Sequence, residues 1–207
     1  METILFQIIV ILFSITIHEF SHAAMANHLG DPTAKYAGRL TLNPLKHLDP
    51  VGSVIVPIFL ILFTGKGFGW AKPVPINPYN FKDQKYGSLK VSLAGPGSNL
   101  IIALIFGLGL RLFFFSNFMP LGLFEAFSYI IFINIILAMF NLIPIPPLDG
   151  SHILFAFLPH SAQKLKMFLR QFGTFILIFL IFFAPGFFSF LFYIVNQIFS
   201  LITGIPF

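Results

Sequence analysis

The chain has 207 residues, 57% of them hydrophobic and only 9% charged, against roughly 25% charged in soluble domains. Phe alone accounts for 30 residues and the mean hydropathy is +0.91, so the chain has too few charges to cover its own surface in water. A soluble enzyme, a disordered tail and a coiled coil are excluded; an integral membrane protein is implied. The formal charge of +5 could suit nucleic acid, but the twelve Lys and Arg residues sit in loops between apolar segments, as orientation signals do. No nucleic-acid partner is expected. The absence of cysteine removes disulfides and thiolate chemistry.

In chain order, the first apolar segment covers 4–26. It lacks a basic leader and contains His18, Glu19 and His22, so it reads as a span and not as a cleaved signal peptide. The stretch 35–43 (KYAGRLTLN) alternates as a strand does around Leu40, which predicts a small β element and a possible edge for a substrate to pair against. Residues 51–63 are apolar but number only thirteen, short for a crossing and suited to a re-entrant piece. Four further spans follow at 89–115, 123–143, 168–184 and 187–205, the last two divided at Ala184-Pro185-Gly186. Arg111 and Glu125 flank the short loop after the second span and could pair. The Phe-rich last two spans read as lipid-facing scaffold. The expected fold is an all-α polytopic membrane protein of one domain, 1–207, with about five to six transmembrane helices, a re-entrant segment and a small β element near the cytoplasmic side.

Charge sets the orientation. Residues 28–90 hold eight basic and three acidic residues, and 159–170 hold three basic and none acidic. Under the positive-inside rule both stretches face the cytoplasm and the N-terminus lies outside. This requires 51–63 to dip in and return on one side.

The chemistry lies in SITIHEFSHAA, Ser14–Ala24. On a helix His18 and His22 are one turn apart on one face, a spacing at which two imidazoles bind one zinc ion, with Glu19 beside them as a candidate general base. Shuffling 6 His and 3 Glu through 207 residues predicts about 0.002 occurrences of the pattern. Two histidines and a glutamate in one apolar helix also need a partner, because a charge at bilayer depth costs about 2.5–3.5 kcal/mol on insertion scales. A polar helix–helix contact is the plainer explanation, and the one a metal displaces.

A catalytic zinc usually has three protein ligands and an open position. Asp149 stands out among the few remaining acids, because Pro144, Pro146 and Pro147 prevent a helix before it. Unwound chain at membrane depth is tolerated where it lines a cavity. A capping turn would explain Asp149 taken alone; the incomplete site at His18 and His22 favours a ligand. His152, one turn further, suits a lining role, whereas His28, His47 and His160 fall in or beside polar loops and should be solvated.

HEFSH in the first span, NLIPIPPLDG at 141–150, FGWAKPVPIN at 68–77 and AGPGSNL at 94–100 together resemble the site-2 protease family of intramembrane zinc metalloproteases, in its compact form without PDZ or CBS domains. The resemblance runs from about His18 to Leu158. It implies His18, His22 and Asp149 as ligands of one Zn2+ per chain and Glu19 as catalytic base. Asn141 would position substrate or polarise its carbonyl, and Asn99 would lie near the site. Transmembrane proteins or peptides in the bilayer would be the substrates, the site opening toward the cytoplasm of a multi-pass cell-membrane protein. The alternatives are a polytopic metal-ion transporter, which would spread acids and histidines over several helices, and an inactive relative, which the presence of Glu19 and all three ligands disfavours.

Overall fold

A computed structural model describes residues 2–64, 69–114 and 120–205. Among them are eight α-helices: α1 (Glu2–His28), α2 (Thr33–Tyr36), α3 (Val56–Thr64), α4 (Gly87–Phe114), α5 (Leu121–Asn141), α6 (Asp149–Phe157), α7 (Gln163–Phe183) and α8 (Pro185–Thr203). Five of these, α1, α4, α5, α7 and α8, are long and apolar enough to cross a membrane. They match the five expected spans to within a few residues at each end. The far end of 89–115, the loop 116–119, Phe68 and the side chain of His160 lie outside the described residues.

Helices α1, α4 and α5 pack together with α4 in contact with both, and α8 lies along α4 and α5. The shared core of α4, α5 and α8 is Ala103, Leu110, Ile131, Ile135, Val195 and Phe199. An apolar crevice brings Leu191 and Ile194 to Met139 and Ile143, while Ile202 sits where a side chain at Gly107 would be. Helix α8 therefore runs antiparallel to α5 and parallel to α4. Helix α7 touches its neighbours along one stripe, Gly173, Leu177 and Ile181, and exposes Phe168, Phe172, Phe175, Phe179 and Phe183. In a bilayer those rings meet lipid, as the composition suggests. Arg111 lies against Gly204 at the end of α8, and among the described residues it forms no ion pair with Glu125. That corrects the expected pairing.

The thirteen-residue segment begins as a π-helical turn, Pro50–Ile55, and continues as α3. Asp49 Oδ2 accepts from Gly52 N at 3.0 Å and from Trp70 Nε1 at 3.1 Å. Trp70 N donates to the Gly52 carbonyl at 3.0 Å, and Ser53 Oγ donates to the Trp70 carbonyl at 2.8 Å. The chain that leaves at Asp49 thus comes back to the same point at Trp70.

The small β element expected at 35–43 is absent among the described residues. Thr33–Tyr36 is helical, Gly38 turns the chain at φ +67°, and Arg39 N closes back on the Ala34 carbonyl at 2.9 Å. The chain then bends through Leu40 and Thr41. Arg39 is buried and donates to the Lys72 carbonyl, and the stretch beyond Lys72 offers Pro73, Pro75 and Pro78, which have no N–H for a ladder. His47, expected to be solvated, is buried in this loop layer and its Nε2 donates to the Thr41 carbonyl at 2.8 Å. His28 is exposed as expected.

Asp31 ties the layer to α1. It is fully buried and accepts from Thr33 N and Oγ1, from Asn80 Nδ2 at 2.8 Å and from Asn77 N at 2.7 Å. Burial pushes its carboxyl up, but the hydrogen bonds from Thr33, Asn80 and Asn77 outweigh it and hold the group below the usual carboxylate range.

Candidate metal centre

His18 and His22 are buried, each 6% exposed, and their Nε2 atoms lie 3.1 Å apart. Asp149 Oδ2 is 3.1 Å from His18 Nε2 and 3.2 Å from His22 Nε2. Residues 131 positions apart therefore meet in one triangle, the group among the described residues that could hold a metal ion. Each part of the local fold serves this meeting. Helix α1 supplies the i, i+4 pair. Prolines 144, 146 and 147 end α5 at Asn141 and let the chain turn back, so that α6 starts at Asp149. Asp149 is the first residue of α6, and its carboxylate points at the imidazoles. Gly150 allows the turn, since a Cβ there would collide with the Leu142 and Ile143 carbonyls. Gly95 performs the same service on α4, where a Cβ would collide with Nε2 of both histidines.

The far side of each ring determines its tautomer. His22 Nδ1 is 2.7 Å from the Val91 carbonyl oxygen, which can only accept, so that nitrogen carries the proton. His18 Nδ1 is 2.7 Å from Asn99 Oδ1, and Asn99 Nδ2 donates to the Ser14 carbonyl at 3.2 Å. Asn99 Nδ2 also donates to Asn134 Oδ1 at 2.8 Å, and with its nitrogen so engaged the amide turns its oxygen toward His18, whose Nδ1 carries its proton. In the neutral rings both Nε2 atoms present lone pairs to each other and to the carboxylate oxygen. Three acceptors at 3.1–3.2 Å repel one another without a cation. One proton on a single Nε2 would have to split its N–H between two acceptors, whereas a cation between the three satisfies all of them. A tetrahedral zinc with bonds of about 2.0–2.1 Å holds its ligand atoms roughly 3.3–3.4 Å apart. The donor set and its spacing fit.

Glu19, next to His18 on α1, is half-buried, and no described residue pairs with its carboxylate. Asn141, at the end of α5, is half-buried and donates Nδ2 to the Leu137 carbonyl at 2.9 Å. His152 is exposed one turn beyond Asp149. Nothing in the sequence reading points to Asn134, which is fully buried and bonded to Asn99 at 2.8 Å. The available signal was a carboxamide inside an otherwise apolar span, where it must find polar partners.

Comparison with known proteins agrees with this chemistry. The family model described as peptidase family M50 matches residues 110–184, which include Asn141 and Asp149. The chain is 40% identical over 186 residues to "Putative zinc metalloprotease YwhC" of Bacillus subtilis, covering 87% of this chain and 81% of that protein. It is 33% identical over 171 residues to "Putative zinc metalloprotease Rip2" of Mycolicibacterium smegmatis, covering 82% and 64%. To the protein of the same name in Mycobacterium tuberculosis it is 32% identical over 192 residues, covering 92% and 71%. No solved structure matches.

Proposed function

Since the chain belongs to peptidase family M50, the site-2 protease family, we propose that it is a zinc-dependent endopeptidase of the membrane interior, cutting peptide bonds within or near the transmembrane segments of membrane proteins. The observation that carries this reading is the triangle of two imidazole lone pairs and one carboxylate oxygen, with Glu19 adjacent.

His18, His22 and Asp149 hold the ion. Zinc, when bound, supplies a Lewis acid that acidifies water and polarises a carbonyl oxygen. Glu19 accepts the proton of the attacking water and delivers it to the departing amine, a general base and then a general acid at one carboxylate. Asn141, the last residue of α5 before the proline break, positions substrate backbone through its carboxamide oxygen. Val91 and Asn99 hold the proton of each neutral ring on Nδ1, so that Nε2 offers its lone pair to the ion.

Depth follows from α1. His18 lies ten residues before the helix ends at His28, so about 15 Å inside that end. The basic stretch 28–90 puts this end on the cytoplasmic side and the N-terminus outside. Water then reaches the centre from the cytoplasm, past the proline break. The segment 51–63 dips into the membrane and returns, a path supported by the meeting of Asp49 and Gly52 with Trp70. A transporter would need metal-binding groups in a file through the bundle; here His18, His22 and Asp149 converge on one centre.

The test uses vesicles containing the wild type or Glu19→Gln together with single-span membrane proteins, with products mapped by mass spectrometry. Cuts within or beside the spans, present only with the wild type, are expected. Cleavage that survives Glu19→Gln would remove Glu19 from the mechanism, and cuts confined to soluble domains would overturn the intramembrane reading.

A further inference from the structure

Behind His18 the polar groups of three helices form a chain with a single direction. Asn134 on α5 is fully buried, and its Nδ2 donates to the Ile130 carbonyl and to Ser14 Oγ, both at 2.9 Å. A carbonyl only accepts, so the Asn134 amide has its nitrogen on that side and its oxygen toward Asn99. That oxygen accepts from Asn99 Nδ2 at 2.8 Å, which leaves Asn99 Oδ1 to accept from His18 Nδ1 at 2.7 Å. Two main-chain carbonyls, of Ile130 and Ser14, thus dictate through two amides where the proton of His18 sits. His22 needs no such relay, because Val91 contributes a carbonyl directly.

We propose that Asn134 is a positioning residue of the metal centre: it locks the Asn99 carboxamide in the orientation that leaves the Nε2 lone pair of His18 facing Asp149. The inference rests on the metal-centre reading. With Asn134 gone, Asn99 Nδ2 keeps only the longer bond to the Ser14 carbonyl, at 3.2 Å. Only that bond then opposes turning over of the Asn99 amide, which would set its oxygen against the Ser14 carbonyl and present its NH2 to His18 Nδ1. That places the imidazole proton on Nε2 and removes one ligand of three. A residue that only fills space would behave differently, because Leu matches Asn in shape and an apolar side chain suits a site between helices in lipid.

The test is made on the full chain in detergent, stripped of metal. Zinc affinity is read by competition with a chromophoric chelator, ligand geometry from the visible spectrum of the Co2+ form, and fold from thermal unfolding of the metal-free protein. Asn134→Leu should unfold as the wild type does, bind zinc about 10- to 100-fold more weakly, as loss of a group that orients a ligand typically does, and change the Co2+ spectrum. Asn134→Asp keeps an oxygen toward Asn99 and should restore affinity to within a few-fold of the wild type. Wild-type affinity in Asn134→Leu, or equal losses in both variants, would overturn the relay. A wild type that binds no zinc would instead refute the metal centre beneath it. Should Asn134→Leu fail to fold, the 15N resonances of His18 in the metal-free wild type decide, assigned by comparison with His18→Gln: a proton on Nδ1 supports the relay and a proton on Nε2 overturns it.

Discussion

Gly95→Ala isolates the geometry of the centre from its chemistry, because it removes no ligand. The added Cβ would lie 2.6 Å from His18 Nε2, and closer still to His22 Nε2. Carbon and nitrogen in ordinary contact stand about 3.5 Å apart, so both rings must give way, His18 by about 0.9 Å and His22 by about 1.1 Å. Neither ring can do so freely. Moving His18 stretches its bond to Asn99, and moving His22 stretches its bond to Val91. Overpacking of this kind costs about 1–3 kcal/mol. The metal-free protein can relieve it by letting the two imidazoles swing away, so the loss falls on metal binding. At 1.4 kcal/mol per tenfold, zinc affinity should fall roughly 5- to 150-fold while unfolding of the metal-free protein changes little. Gly97→Ala is the matched control on the same helix, since a Cβ there meets nothing within 4 Å, and it should bind zinc as the wild type does. Chelator competition on the three proteins reads the result. A Gly95→Ala protein that holds zinc as tightly as the wild type would refute the placement of α4 against the two histidines.

Glu19→Gln should keep its zinc and lose peptidase activity by about 10²- to 10⁴-fold, the usual contribution of a general base, as followed by product formation in vesicles; retained activity would count against Glu19. Asp31 is held below the usual carboxylate range, so its stabilisation is present above the unfolded pKa near about 3.9 and is lost as pH falls toward the lower folded value. Asp31→Asn should lower stability at pH 7 by about 1–3 kcal/mol, and thermal unfolding should show a smaller drop from pH 7 to pH 3 than in the wild type; an equal drop would contradict the role. Because the chain has no cysteine, single cysteines at Lys46 and Leu121 report topology without background. Membrane-impermeant maleimide should label Leu121→Cys from outside intact cells and Lys46→Cys only after permeabilisation; the reverse pattern would invert the orientation.

The spans and the candidate metal centre were legible for the same reason. In a chain this apolar, length alone marks a crossing, and every buried polar group stands out against its surroundings. His18 and His22 announce themselves by helical spacing, and Asp149 by the prolines that clear a helix from its approach. The loop layer was less legible. Leu40 and Leu42 alternate as a strand would, but Gly38 and buried Arg39 bend the chain, and Pro73, Pro75 and Pro78 deny it a partner. His47 looked solvated among loop residues because nothing in its neighbourhood reveals that the loops close over it. Asn134 and Gly95 act through contacts with other helices, and no spacing within their own segments encodes those contacts.

The most direct test of the central claim is zinc content per chain, by elemental analysis of detergent-purified wild type, Asp149→Ala and Glu19→Gln. One zinc in the wild type, lost in Asp149→Ala and kept in Glu19→Gln, is the predicted result for a three-ligand site with a separate base. Zinc retained in Asp149→Ala, or lost in Glu19→Gln, would contradict it.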